Sequence, residues 1–177
     1  MKQLFISSML IFIFVAGCSN DNNESNASYD GEHLDIGLFG DTPGDVSNEK
    51  VTFHSTDDLE NLFQQDYEAF FVTDQYFEEF STEEWAPFIE ELDVPVFFLN
   101  LDEPTFIFTE ENYEYGDHDF ESSTHAEGIV VGDDGETALS WGYGDGARLD
   151  TTNPRDIPNW VFDSIYKDIE EYKKSRS

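Results

Sequence analysis

The chain has 177 residues with a single cysteine, and its 40 Asp and Glu against 8 Lys and Arg give a formal net charge of −32. Lys50 and Arg148 bracket 97 residues that contain 26 acidic side chains and no Lys or Arg. Such a surface has nothing to neutralise phosphates, which excludes nucleic acid as a partner and argues against anionic lipid headgroups. Yet 17 Phe, 8 Tyr and 3 Trp supply the bulk for a packed core, and the length suits one domain rather than a disordered acidic tail.

The first segment reads as an export signal: Lys2, a mostly apolar run from Leu4 to Val15, then the small residues Ala16 and Gly17. The run is short for a membrane-spanning helix. Val15-Ala16-Gly17-Cys18 resembles the bacterial lipobox. That resemblance implies diacylglyceryl transfer to the Cys18 thiol and cleavage after Gly17, so that residues 1–17 are a signal peptide and the protein is lipid-anchored on the extracytoplasmic face of the cell membrane. Cys18 is the only cysteine, so export brings no internal disulfide. An ordinary secretory signal with an incidental cysteine is the alternative. Residues 18–33, rich in Asn, Ser and acidic side chains, are expected to form a flexible tether, leaving 34–177 as the folded domain.

Within the domain, Leu34–Phe39 and Val51–His54 are strand candidates, separated by a turn-rich segment containing Asp41, Pro43, Gly44 and Asp45. Thr56 or Asp57 is placed to cap a brief helix with Leu59, Leu62 and Phe63 inward. Ala69–Val72 is a continuous apolar run, as a strand covered on both faces requires. Ser81 and Glu84 have capping-box spacing, and Trp85, Phe88, Ile89 and Leu92 recur at helical spacing, with Pro87 predicting a bend or break. Pro95–Leu99 is a further buried strand, which completes a βαβ unit. Phe106–Phe108 suggests an edge strand. Gly128–Val131 and Thr137–Tyr143 form a predicted hairpin joined through Asp133-Asp134-Gly135. A last helix over 157–173 carries Ile157, Val161, Ile165, Ile169 and Tyr172 on one stripe, with Lys173, Lys174 and Arg176 at its negative end. The predicted fold is a single small α/β domain: a mixed sheet with a central βαβ unit, a C-terminal hairpin and a C-terminal helix.

Several short segments carry a further likeness: Ile36–Gly40, Val51–Phe53, Asp66–Val72, Pro95–Phe98 and Trp141–Gly144. In their order the body resembles small lipoproteins of unassigned function from Bacillus-like bacteria. The resemblance implies a lipid-anchored extracytoplasmic domain and brings no catalytic residues with it.

Ligands of open α/β sheets settle beyond the carboxyl ends of the strands. Asp41, Asp74, Asn100 and Asp102 fall there, a set suited to a cation, a basic ligand or a hydroxyl-rich one; they read equally as loop and cap residues in a chain full of Asp. Asp117-His118-Asp119 with His125 is the most metal-like cluster, and a solvated polar loop is its alternative. His33 and His54 stand apart in the sequence and receive no role. Gly142, Gly144 and Gly146 do not lead into a helix as a phosphate loop would, and neither a Gly-x-Ser-x-Gly elbow nor a His-Glu-x-x-His pair occurs. No motif calls for a cofactor. Trp141, Tyr143 and Trp160 suit either a ligand groove or the core. The leading reading is a non-enzymatic binding or accessory module at the membrane. The alternatives are a metal-dependent hydrolase using His118, His125 and nearby carboxylates, and a cation-binding acidic surface protein. The acidity itself points to saline or alkaline surroundings, where salt screens self-repulsion.

Overall fold

The computed structural model describes residues 28–43, 48–55, 61, 65–110, 112–117, 119, 122, 124–132, 137–144 and 157–177. Six strands form one sheet: β1 (Leu34–Phe39), β2 (Val51–Ser55), β3 (Ala69–Val72), β4 (Val96–Leu99), β5 (Ala126–Val131) and β6 (Thr137–Tyr143), in the spatial order β2-β1-β3-β4-β5-β6. The first four run parallel, and β5 and β6 continue the sheet antiparallel. The sheet is mixed, with the βαβ unit at its centre and the hairpin at one edge, as the apolar pattern predicts. The Asp133–Gly135 turn, the brief helix expected near 57–63, the lipobox with Cys18, and His118 lie outside the described residues.

Both faces of the sheet are covered, which is why β3 and β4 read as unbroken apolar runs. Along β1 the residues Leu34, Ile36 and Leu38 point to one face, joined there by Phe71, Phe97 and Leu99. They pack against Val161, Ile165, Tyr166 and Ile169 of the C-terminal helix, to which we add, in chain order, α1 (Phe77–Phe80), α2 (Ala86–Glu90) and α3 (Asn159–Ser175). The alternate residues Phe39, Phe70, Val72, Val96 and Phe98 form a second core beneath α1, α2 and the 3-10 turn Thr105–Phe108. This period of two divides the buried side chains of β1, β3 and β4 between the two cores. Where a neighbouring ring needs the room, the strand carries glycine: a Cβ on Gly128 would lie 2.3 Å from Phe97 Cε1.

Of the expected stripe, Val161, Ile165 and Ile169 are buried in α3, Ile157 is buried just before it and Tyr172 is half-buried, and the cations at the helix end have specific partners. Lys173 Nζ donates to Glu68 Oε1 at 3.0 Å, and Arg176 pairs with Asp93 at 3.2 Å. The last turn is thereby fastened to the segments that enter β3 and β4.

Three sequence expectations change. Residues 105–108 form a 3-10 turn rather than an edge strand, because the sheet edge beyond β4 is taken by β5. Instead, Ile107 and Phe108 are driven down onto the sheet, and the Phe108 ring stacks on Phe98 with centroids 3.9 Å apart. The Ser81–Glu84 capping box does not form. Helical structure begins earlier, at α1, and restarts at α2 with Pro87 in the first turn, where a missing N–H costs least. The Ser81 hydroxyl donates to Glu78 O and accepts the Tyr115 N–H. Finally, the folded body begins before residue 34: Tyr29 is 4% exposed, its ring centroid 5.6 Å from that of Tyr166, and its N–H donates to Asp163 at 2.8 Å. One aromatic among polar neighbours gives no periodic signal, yet its burial needs only one long-range surface.

Among the described residues, no helix is long and apolar enough to cross a membrane.

Candidate functional site

The strand order reverses between β1 and β3, so their carboxyl ends mark the place where an open α/β sheet holds ligands. Here that place is filled by the chain itself. Gly40 adopts φ +108°, and a Cβ on it would meet Thr73 Oγ1 at 1.9 Å. Thr73 donates its hydroxyl to Phe39 O at 3.1 Å. Asp41 is tied to Gln75 twice, its N–H donating to Oε1 at 3.2 Å and its Oδ2 accepting from Nε2 at 3.1 Å.

The other residues proposed from the sequence follow suit. Asp74 is exposed in the 3-10 turn Asp74–Tyr76. Asn100 holds a left-handed backbone, φ +62°, and its N–H donates to His125 O at 2.8 Å. Asp102 accepts the Tyr115 hydroxyl at 2.7 Å, while Gly116 N–H donates to Glu103 at 2.9 Å. Burial first, then the Asp102 hydrogen bond and the charges of Asp102, Glu103 and Asp74, push the Tyr115 hydroxyl well above its ordinary range. The segment carrying Tyr115 thus straps the end of β4 by donating hydrogen bonds to Asp102 and Glu103, and no such bond reaches Asp74 among the described residues.

His125 is buried, with its ring edge-on to Trp160 at 5.9 Å and its N–H donating to Tyr143 O at 2.6 Å. Trp160 and Trp141 pack on the core beneath α3, and Tyr143, buried there, donates its hydroxyl to Asp168 at 2.6 Å. Two histidines that stand apart in the sequence meet instead. Parallel pairing of β1 with β2 brings His54 Nε2 to 2.7 Å from Asp35 Oδ1, and His33, two residues before Asp35, lies 3.8 Å from the same oxygen. His54 also stacks on Tyr67 at 5.1 Å. Only the strand register reveals this cluster. Among the described residues, no group of three or more His, Cys, Asp or Glu side chains is placed to hold a metal ion.

A hollow of about 360 Å³ opens elsewhere, on the face opposite α3, between residues 81–90 of the crossover and residues 107–113 after β4. Its volume lies within the range of small-molecule pockets, roughly 300–1,000 Å³. None of the four strand-end residues lines it. Ile107, Phe108, Ala86 and Pro87 line it together with Asn112, Tyr113 and the exposed carboxylates of Glu83, Glu90 and Glu110. The hydroxyls beside it are already engaged: Ser81 as above, Thr82 with Glu79 O at 2.8 Å, and Thr109 with Phe106 O at 3.3 Å. Sequence reasoning missed this hollow because its walls come from two separate segments that meet only when residues 105–108 turn over the sheet. The available signal was Pro104, which interrupts the chain after β4 and begins that turn.

Comparison of the chain with protein-family models, with curated proteins and with solved structures finds no match.

Proposed function

We propose that this protein is a non-enzymatic binding module, lipid-anchored through Cys18 on the extracytoplasmic face of the cell membrane, that takes up a small ligand in the hollow between residues 81–90 and 107–113. The observation that carries the binding reading is the hollow itself: about 360 Å³ of space beside a sheet whose usual ligand position is occupied by Thr73 and Gln75. The lipobox-like segment and its single cysteine support the anchor. Burial of Tyr29 shortens the expected tether to the ten residues 19–28, whose reach is at most about 35 Å. The domain is thus held close to the lipid surface.

A fragment screen by nuclear magnetic resonance tests the binding reading. Hits are expected to shift the amides of Ala86, Thr109 and Tyr113, and to be lost in Ala86→Trp, which fills the space. Hits that map to the strand ends around Asp74 and Asp102, and survive Ala86→Trp, would refute the assignment of the hollow.

A further inference from the structure

The end of α3 is held differently from the rest of the domain, and we infer that residues 170–176 form a salt-sensitive clasp, released by the same salt that stabilises the body. Burial secures the helix as far as Ile169, and no later residue of α3 is buried. Beyond that point charge and hydrogen bonds take over. Lys173 Nζ lies 3.0 Å from Glu68 Oε1 and 3.9 Å from Glu32 Oε2, and Arg176 Nη2 lies 3.2 Å from Asp93 Oδ1. Arg176 Nη1 also donates to Asp93 O, and its guanidinium stands 5.7 Å from the centre of the Tyr172 ring. Tyr172 donates its hydroxyl to Asp93 O at 3.1 Å and meets the Trp141 ring edge-on at 6.2 Å. Within the helix, Lys174 pairs with Glu170 at 2.6 Å. Glu32, Glu68 and Asp93 precede β1, β3 and β4, so this one turn ties the entrances of three parallel strands, at the end of the sheet away from Asp41 and Asp102.

Salt acts on the two parts with opposite sign. From residue 51 to residue 147 the chain has no Lys or Arg, so screening there relieves repulsion among acidic side chains. Of the five Lys and Arg among the described residues, three lie within residues 173–176, and each of them is paired with a carboxylate. The negative end of the α3 dipole attracts the same cations. Screening weakens every one of these attractions, as the Debye length falls from about 30 Å at 0.01 M salt to about 3 Å at 1 M. An exposed ion pair contributes little by itself. A turn with no buried side chain therefore depends on the sum of several, and it lets go when all are screened together. Release lifts Tyr172 from Trp141, whose ring is half-buried on the sheet face beneath α3. The inference does not depend on the ligand reading above.

Nuclear magnetic resonance on the isotope-labelled full chain in detergent solution at pH 7 tests this, with sodium chloride at about 0.01 M and about 1 M. Backbone order parameters of residues 173–176 are expected near 0.85 at the lower salt and below about 0.6 at the higher, while those of residues 161–169 stay near 0.85. The nuclear Overhauser effect between the Tyr172 and Trp141 rings should weaken at least twofold over the same change, although Tm rises. The double variant Lys173→Gln, Arg176→Gln leaves the buried stripe intact and should show the released turn at both salts. Lys173→Arg, Arg176→Lys keeps the charges and should keep the salt response. Order at residues 173–176 that is unchanged or higher at the higher salt would overturn the inference, and so would a glutamine variant as ordered as the unaltered protein at the lower salt. A glutamine variant that is released, beside an unaltered protein indifferent to salt, would show that hydrogen-bond geometry rather than charge holds the turn, and would overturn it too.

Discussion

Replacing Tyr29 by Ala tests where the folded body begins. The side chain is 4% exposed and packs against Tyr166 in the core beneath α3. Deleting a buried aromatic ring costs about 3–5 kcal/mol, less where the surroundings can close over the gap. Tyr29 lies outside the regular elements, ahead of β1, so we take the lower end, about 3 kcal/mol. Its hydroxyl also donates to Glu32 O at 2.8 Å, a bond worth about 1 kcal/mol net. Tyr29→Phe should therefore lose about 1 kcal/mol and Tyr29→Ala, which removes ring and hydroxyl, about 4 kcal/mol. For a body of about 150 residues each kcal/mol lowers Tm by about 2–4 °C, so Tyr29→Ala should melt about 8–16 °C below the unaltered protein. Urea unfolding followed by circular dichroism gives the free energies. A loss below about 1 kcal/mol for Tyr29→Ala would show that residues 28–33 are tether after all.

The same residue sets a pH test. Burial, and then the neighbouring Glu170, push the Tyr29 hydroxyl up to about 12 from an ordinary value of 10.0. Between these values the unfolded chain releases the proton while the folded chain keeps it, so stability falls as pH rises through that window. Tyr29→Phe should show a shallower decline there than the unaltered protein, and equal slopes would refute the contribution. Tyr166 is buried with no hydrogen-bond partner for its hydroxyl among the described residues, so Tyr166→Phe should stabilise the protein by about 1 kcal/mol in urea unfolding. A loss of that size would mean the hydroxyl is satisfied in solution. The charge of −32 predicts a steep rise in Tm with sodium chloride at pH 7, since at about 1 M salt the Debye length falls to roughly 3 Å. A flat response would remove the saline reading of the acidity.

Local composition foretells the parts of this fold whose signals are local. Ala69–Val72 and Val96–Leu99 are legible because burial on both faces writes an unbroken apolar run, and α3 is legible because its stripe recurs over four turns. The crossover is harder. Trp85, Phe88, Ile89 and Leu92 suggest one capped helix, but Phe88 is 37% exposed and the helical residues form two short pieces separated by residues 81–85. In this segment, tertiary contacts such as the Tyr115 N–H on Ser81 compete with the local cap. Features made by distant residues left little trace. Tyr29 on Tyr166, His54 on Asp35, and the hollow between residues 81–90 and 107–113 all depend on register or on a turn. Strand-end carboxylates were legible as positions, since Asp41, Asp74 and Asp102 do follow their strands. Their partners, Gln75 and Tyr115, depend on side-chain reach across the sheet end.

The central claim is a binding domain held at the membrane by a lipid on Cys18, and mass spectrometry of the mature N-terminus in a bacterial membrane fraction tests it most directly. The expected species is a chain that starts at Cys18 and carries the added mass of a diacylglyceryl group. A chain that retains Met1, or one cleaved elsewhere with an unmodified Cys18, would contradict it.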